Sequence, residues 1–274
     1  RFFTKFLRDP GLVAFDEPFD RLLTQGMVLK DGEVMSKSRG NIVDPGSVIE
    51  RYGADSLRLF ILFAAPPEDQ LEWNDSAIDG AWKFLNRVYS AVSKRFVPVK
   101  TSYDEKAFDQ ADQELYREIH AAVKKVTYGF SEDLKFNTAI SQVMILMNCI
   151  DHYDVSRSGG KQALLNEALK TVVLLLAPIT PHLGKELWEM TGGKSPIANA
   201  VWPSYQEEAL IQSDVLIVVQ INGKVRAKVT VPRDMPEDAL RDLVLSDEKV
   251  SSCIQGKEVR KFIVVPNRIV SIVI

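Results

Sequence analysis

Residues 25–46 read QGMVLKDGEVMSKSRGNIVDPG, and the chain changes character twice within them. The apolar run that ends here, Leu22 to Leu29, predicts a short buried strand, and Lys30-Asp31-Gly32 supplies a turn. The polar run Ser36-Lys37-Ser38-Arg39-Gly40-Asn41 follows and reads as a loop. Asp44-Pro45 then starts a helix, with Asp44 as N-cap and Pro45 at the first helical position, where its missing N–H costs nothing. Gly53 suits that helix's C-terminus, Asp55 is placed to cap a second helix, SLRLFILFAA, and Pro66-Pro67 closes it. Strand, polar loop and two capped helices is the local expectation.

Downstream, from Ser76 to about Trp202, the apolar period is that of helices. Ile78, Ala81, Trp82, Leu85 and Val88 share one stripe, as do Ile140, Val143, Met144 and Met147, widened by Leu146 and Ile150. A further helix runs from Gln162 to Ala177 and stops at Pro178. Thr180 is placed to cap the next, with Pro181 at its first position and Gly192 beyond its end. After residue 213 the period falls to two. Val215–Gln220 and Lys224–Val231 flank Asn222-Gly223, a strong hairpin signal. Pro236–Leu245 reads as a helix, and Val259–Val265 with Arg268–Ile274 as a second hairpin around Pro266-Asn267. The expectation is a multi-domain chain: an α/β piece over 1–75, an all-α bundle over 76–204, and a small α+β domain over 213–274.

The chain is 274 residues, 46% hydrophobic, with formal net charge −3, which excludes a disordered or fibrous protein. Charge is uneven: residues 1–75 hold 9 Lys/Arg against 13 Asp/Glu, whereas 213–274 hold 10 against 8. No stretch approaches the roughly 18 apolar residues of a membrane span, and no signal peptide opens the sequence. Two cysteines, Cys149 and Cys253, exclude a disulfide scaffold and a Cys-based zinc site, and fit a reducing compartment. The opening RFFTKFLRD reads as a helix already under way, as in a fragment or one half of a split protein.

Chemistry concentrates at Met35-Ser36-Lys37-Ser38. A lysine on a loop of small hydroxyl residues and glycine is suited to gripping a polyphosphate, its point charge meeting developing negative charge. Open α/β sheets bind nucleotides beyond a strand's carboxyl end, where this loop would sit. The same composition also suits an ordinary solvated surface loop, and the residues alone leave both readings open.

Residues 25–89, through SRGNIVDPGSVIERYGADSLRLF and on to NRVY, resemble the KMSKS region of class Ia aminoacyl-tRNA synthetases, with the closest likeness to the bacterial leucyl enzymes. FNTAISQVMILMN (136–148) and LAPITPHLGKELWE (176–189) resemble that subclass's anticodon-binding bundle. QINGKVRAKVTVP (220–232) and VRKFIVVPNRIVSIVI (259–274) resemble the C-terminal domain of the leucyl enzymes. The resemblance implies the end of a Rossmann-type catalytic domain, then the bundle, then a tRNA-binding domain. It implies that Lys37 contacts the pyrophosphate portion of ATP, with Met35, Ser36 and Ser38 holding the loop and Mg2+ accompanying the nucleotide. Val34 stands where the motif has its first lysine, leaving one cation where the pattern has two. The family's HxGH motif lies upstream of its lysine loop. Here His120, His152 and His182 are all downstream, and the HLGK of residues 182–185 reads as structural. The implied partners are tRNA(Leu), ATP and leucine, the small molecules binding only together with an upstream half, which a heterodimer could supply. The implied location is the cytoplasm. Only Lys30–Glu33 separates strand from motif, so an insertion common before the loop in bacterial leucyl enzymes is absent.

The tail offers a second surface. In a regular strand Lys224, Arg226 and Lys228 share one face, and Arg260 and Arg268 could extend it. A solvated strand face is the plain alternative; with the resemblance, RNA-backbone contact is the better reading. Lys83, Arg87, Lys94 and Arg95 form a basic run in the bundle, assigned at most to docking the tRNA backbone. Trp73, Trp82, Trp188 and Trp202 are expected to pack in the core. Two other readings remain: a non-catalytic tRNA-binding module, and a fragment of a valyl or isoleucyl enzyme, which the tail opposes. A parallel sheet interrupted near residues 1–35 would expose an apolar edge, to be covered by a partner or left disordered.

Overall fold

Asn74 accepts hydrogen bonds from the backbone N–H groups of Ser76 and Ala77, and this cap launches the first long helix, α4 (Asp75–Arg95). In the computed structural model, which describes residues 1–155, 159–211, 214–254 and 259–274, the chain divides into two compact units, Arg1–Gln206 and Glu207–Ile274.

In the first unit α1 (Phe2–Arg8), α2 (Pro45–Tyr52) and α3 (Ala54–Ala64) precede α4. The helices α5 (Gln110–Ser131), α6 (Phe136–His152), α7 (Gly159–Leu176) and α8 (Pro181–Met190) follow it. A capping box starts α5: Asp109 accepts from the Asp112 N–H while Asp112 accepts from the Asp109 N–H. Lys161 reaches across from α7 to both carboxylates, at 2.8 and 2.7 Å. α5 packs against α6 and α7, and α4 against α3 and α8. Ile78, Leu115, Ile140, Leu146, Met147, Leu165 and Leu169 are fully buried there. Each such side chain contributes about 1.5–3 kcal/mol of burial, so the bundle is the stable body of the unit. Lysine loop and bundle fall in one unit because α3 packs on α4, α6 and α8.

Four expectations differ from the structure. The strand expected over Leu22–Leu29 is only β1 (Val28–Lys30); Leu22 and Met27 are exposed, and Leu23 and Leu29 are only half-buried, because the run is only partly covered. β1 pairs antiparallel with β2 (Glu33–Val34) and parallel with β3 (Leu71–Glu72), giving a three-stranded sheet ordered β2-β1-β3. Asp55 does not cap its own helix, nor does Thr180 cap α8. The Thr180 hydroxyl donates to the Leu176 carbonyl, and Asp55, buried in α3, accepts from the Leu183 N–H of α8 instead. Trp82 is 41% exposed and leaves the core stripe to Ile78, Ala81, Leu85 and Val88. Trp73, Trp188 and Trp202 place their indole N–H groups on Asp75, the Ser195 carbonyl and Thr127.

No described residue of α1 is buried, and Phe2, Phe3, Phe6, Phe15 and Phe19 stand in solvent, Phe2 76% exposed. None of the described helices is long and apolar enough to cross a membrane.

The second unit holds β4 (Asp214–Ile221), β5 (Lys224–Pro232), α9 (Glu237–Ser246), α10 (Glu248–Ile254), β6 (Lys261–Val265) and β7 (Ile269–Val273). The sheet order is β5-β4-β7-β6, with β4 and β7 parallel and both hairpins antiparallel. Asn222 and Gly223, at φ +48° and +77°, make the two-residue turn whose twist matches the strands. Leu240 and Val244 of α9 and Val250 of α10 join Val219, Val231, Val270 and Ile272 in a core on one face of the sheet. α10 was not expected from the sequence; Asp247 caps it by accepting from the Lys249 and Val250 N–H groups.

Candidate functional site

The lysine loop begins from a tight hairpin. Asp31 and Gly32 both take positive φ, +57° and +75°, so Lys30 pairs directly with Glu33 and Val34 with Leu29. Val34 is therefore on a strand, exposed, opposite Leu29. Ser36 is extended and opens a 3-10 turn over Lys37–Arg39, closed by Gly40 in the left-handed region at φ +67°. Within it the Arg39 N–H donates to the Ser36 carbonyl and the Gly40 N–H to the Lys37 carbonyl.

Side chains lock this turn. The Ser36 and Ser38 hydroxyl oxygens lie 3.2 Å apart, on either side of Lys37. Arg39 pairs with Glu33 at 2.8 Å, turning its charge back toward the hairpin. Asn41 accepts from the Ser36 N–H at 2.9 Å and donates to the Val34 carbonyl at 3.3 Å. Met35 and Ser36 are half-buried, while Lys37 and Ser38 are exposed. The Lys37 ammonium makes no hydrogen bond or ion pair among the described residues. An uncommitted cation with two hydroxyls beside it can bind phosphate oxygens without first breaking a pairing. Among the described residues no cluster of three His, Cys, Asp or Glu groups could hold a metal ion. Glu33, the carboxylate flanking the motif, is engaged by Arg39, so the loop itself fits phosphate oxygens and not a magnesium ligand set.

The histidines lie apart from this loop. His182 holds its ring Nδ1 2.8 Å from Asp55, part of the α3–α8 contact. His152 donates from Nδ1 to the Asn148 carbonyl within its own helix. His120 is buried against Tyr116 and accepts from the Gln206 N–H at Nδ1; burial pushes its pKa down.

The basic stripe expected on β5 is broken. A register shift between Val219 and Gln220 inserts Arg226 as an extra residue: Lys228 stands opposite Val218, but Lys224 stands opposite buried Ile221. Antiparallel partners share a face, so Lys224 and Lys228 face opposite sides of the sheet. Arg260 and Arg268 lie at opposite ends of the hairpin partner, Arg260 by Val273 and Arg268 just before β7. All five cations are exposed, but they do not line up on one stripe: Lys224 and Arg260 lie toward one end of the sheet, Lys228 and Arg268 toward the other, and Arg226 sits in the bulge between. The side of the sheet away from the helices also presents Leu216, Val225, Ile263 and Val265.

The bundle's basic run is mostly committed internally. Lys83 pairs with Asp79, Arg87 with Asp151 and Asn148, and Arg95 donates to the Ile150 and Tyr153 carbonyls. Lys94 is the exposed member without a partner among the described residues. In the sequence Asn41 reads only as part of the polar loop and Asp55 only as a cap for its own helix, so the contacts each makes were not foreseen. An Asn just after a glycine that ends a polar loop was the available signal for the first; no local signal exists for the second.

The family model for tRNA synthetases class I (I, L, M and V) matches residues 11–74, and that for the anticodon-binding domain of tRNA ligase matches residues 112–241. Leucine–tRNA ligases of Geotalea uraniireducens and Alcanivorax borkumensis are 45% and 47% identical over the whole of this chain. Over its full length the chain is homologous to the C-terminal part of leucine–tRNA ligases. It spans about a third of the curated relatives it matches, 34% of their length. A crystal structure of a ternary complex of Agrobacterium radiobacter K84 agnB2 LeuRS with tRNA and LeuAMS aligns with 99% of the chain and 36% of its own. The TM-score is 0.74 at 32% identity. Mycobacterium tuberculosis methionyl-tRNA synthetase shares the fold over 69% of the chain and 40% of its own, with TM-score 0.52 and 24% identity.

Proposed function

We propose that this chain supplies the ATP-binding lysine loop and the tRNA-docking parts of a leucyl-tRNA synthetase, completed by an upstream portion bearing the HxGH motif, whether on the same polypeptide or a separate subunit. The reaction is activation of leucine. A carboxylate oxygen forms a bond to the ATP α-phosphorus, the bond to the β-phosphate bridging oxygen breaks, and diphosphate leaves. The tRNA(Leu) terminal hydroxyl then takes the leucyl group and AMP departs. Lys37 neutralises the charge that grows on the leaving diphosphate, and the hydroxyls of Ser36 and Ser38 donate to its oxygens. Mg2+ would arrive already bound to the nucleotide. The three-stranded sheet at residues 28–72 is the end of the Rossmann-type catalytic fold in this reading, and the exposed phenylalanines of residues 2–19 would pack against the upstream portion. Free Cys149 and Cys253 suit the reducing cytoplasm that the reading implies.

The uncommitted Lys37 ammonium between two serines carries this reading. Leucine-dependent exchange of radiolabelled pyrophosphate into ATP tests it in the complete enzyme. Lys37→Ala should lower the exchange rate by about 10²- to 10³-fold, the usual cost of losing one charge-stabilising group. Full exchange by the variant would refute the loop's role. Lys224, Arg226, Lys228, Arg260 and Arg268 are proposed to hold the tRNA backbone; charge removal should flatten the salt dependence of tRNA binding.

A further inference from the structure

Five residues of the lysine loop, Ser36 to Gly40, project from the hairpin, and the side-chain contact made among them, Ser36 Oγ to Ser38 Oγ at 3.2 Å, is solvent-exposed. Two backbone hydrogen bonds close the 3-10 turn, and Lys37, Ser38, Arg39 and Gly40 are all exposed. The Arg39–Glu33 pair is solvent-exposed on both sides, and such pairs add little. Asn41 differs. It is half-buried, and its single amide spans the mouth of the loop, accepting from the Ser36 N–H and donating to the Val34 carbonyl. Gly40, in the left-handed region, returns the chain so that this amide meets residues 34–36.

We propose that Asn41 is the positioning residue of the lysine loop, holding Ser36 against the end of β2 so that Lys37 is aimed before nucleotide binds. The proposal rests on the reading of Lys37 given above. Both halves of the amide are needed. An aspartate keeps the acceptor for Ser36 but turns the donor into a second acceptor facing the Val34 carbonyl. Without the clasp, the turn is free to pivot about Met35, and Lys37 must be ordered at each turnover. A misplacement of about 1 Å costs as much as 10²-fold in rate.

Pyrophosphate exchange in the complete enzyme tests this with Lys37→Ala, Asn41→Ala, Asn41→Asp and the Lys37→Ala/Asn41→Ala double variant. Asn41→Ala and Asn41→Asp should each slow exchange by about 10- to 100-fold while tRNA affinity and thermal midpoint stay unchanged. The double variant should be no slower than Lys37→Ala, since Asn41 acts through that ammonium. Multiplying losses in the double variant would place Asn41's effect elsewhere and overturn the proposal. So would wild-type exchange by both Asn41 variants beside an inactive Lys37→Ala. Should Lys37→Ala itself retain full exchange, the underlying reading fails. If Asn41→Ala does not fold, Asn41→Asp carries the comparison alone.

Discussion

The carboxylate of Asp55 caps a helix that begins 126 positions later in the chain: its oxygens sit 2.7 Å from the Leu183 backbone nitrogen and 2.8 Å from His182 Nδ1. Arg58, one turn on, donates to the Ile179 and Pro178 carbonyls at 2.7 and 3.1 Å. The two side chains therefore fasten α3 to the turn that enters α8, joining the loop-bearing segment to the bundle. Asp55 is only 8% exposed, so Asp55→Ala leaves the α8 N-terminus without its acceptor. Stability should fall by about 1.5–3 kcal/mol, read as a lower urea midpoint at unchanged m-value, with Thr180→Val costing less.

Gly26 tolerates no side chain. A Cβ there would lie 1.9 Å from the Asp69 carbonyl oxygen, where the segment entering β1 runs beside the loop entering β3. Gly26→Ala should cost about 1–3 kcal/mol locally. Hydrogen exchange is the check: the Leu71 and Trp73 amides, bonded to the Met27 and Leu29 carbonyls, should lose protection while Leu146 in the bundle keeps its own.

His120 makes the first unit sensitive to mild acid. Its Nδ1 accepts from Gln206, so the neutral ring carries its proton on Nε2, an atom buried without a partner among the described residues. Burial holds the folded pKa below the ordinary 6.5, Glu167 and Glu105 opposing only in part. The unfolded chain therefore binds the proton more readily. This contribution to stability is complete above about pH 6.5 and is lost as pH falls through the lower folded value. In paired urea titrations His120→Gln should be less stable than wild type at pH 8, with the gap narrowing toward pH 5.

Cys149 is expected to be a sluggish thiol. Burial pushes its pKa up to about 11, aided by Glu114 and Glu118. In a Cys253→Ser background its alkylation rate should keep rising between pH 9 and pH 11, where an ordinary thiol has levelled off. Mass spectrometry of the iodoacetamide-treated protein would show a plateau near pH 9 if the side chain were accessible.

What sequence alone conveyed depended on whether the signal was local. Helical stripes around Ile78 and Ile140 and the Asn222-Gly223 turn are short-range, and the elements they predict are present with ends shifted by a few residues. The Lys37 loop was legible because its residue types and a capped helix after it sit within a dozen positions. The run from Leu22 to Leu29 misled because apolar content says what a segment could bury, not whether anything is there to bury it. The basic stripe failed at one extra residue: alternation past Arg226 holds only for a strand without a bulge, and no residue type there announces one. The Asp55 cap joins segments too distant for any pattern to link.

The bare rings of Phe2, Phe3, Phe6, Phe15 and Phe19 set how this polypeptide must be handled at the bench. So much aromatic surface in water binds reporter dyes, resins and other copies of the same molecule. Sulfate precipitants, which strengthen apolar association, will worsen the stickiness, whereas low concentrations of urea or a mild detergent will relieve it.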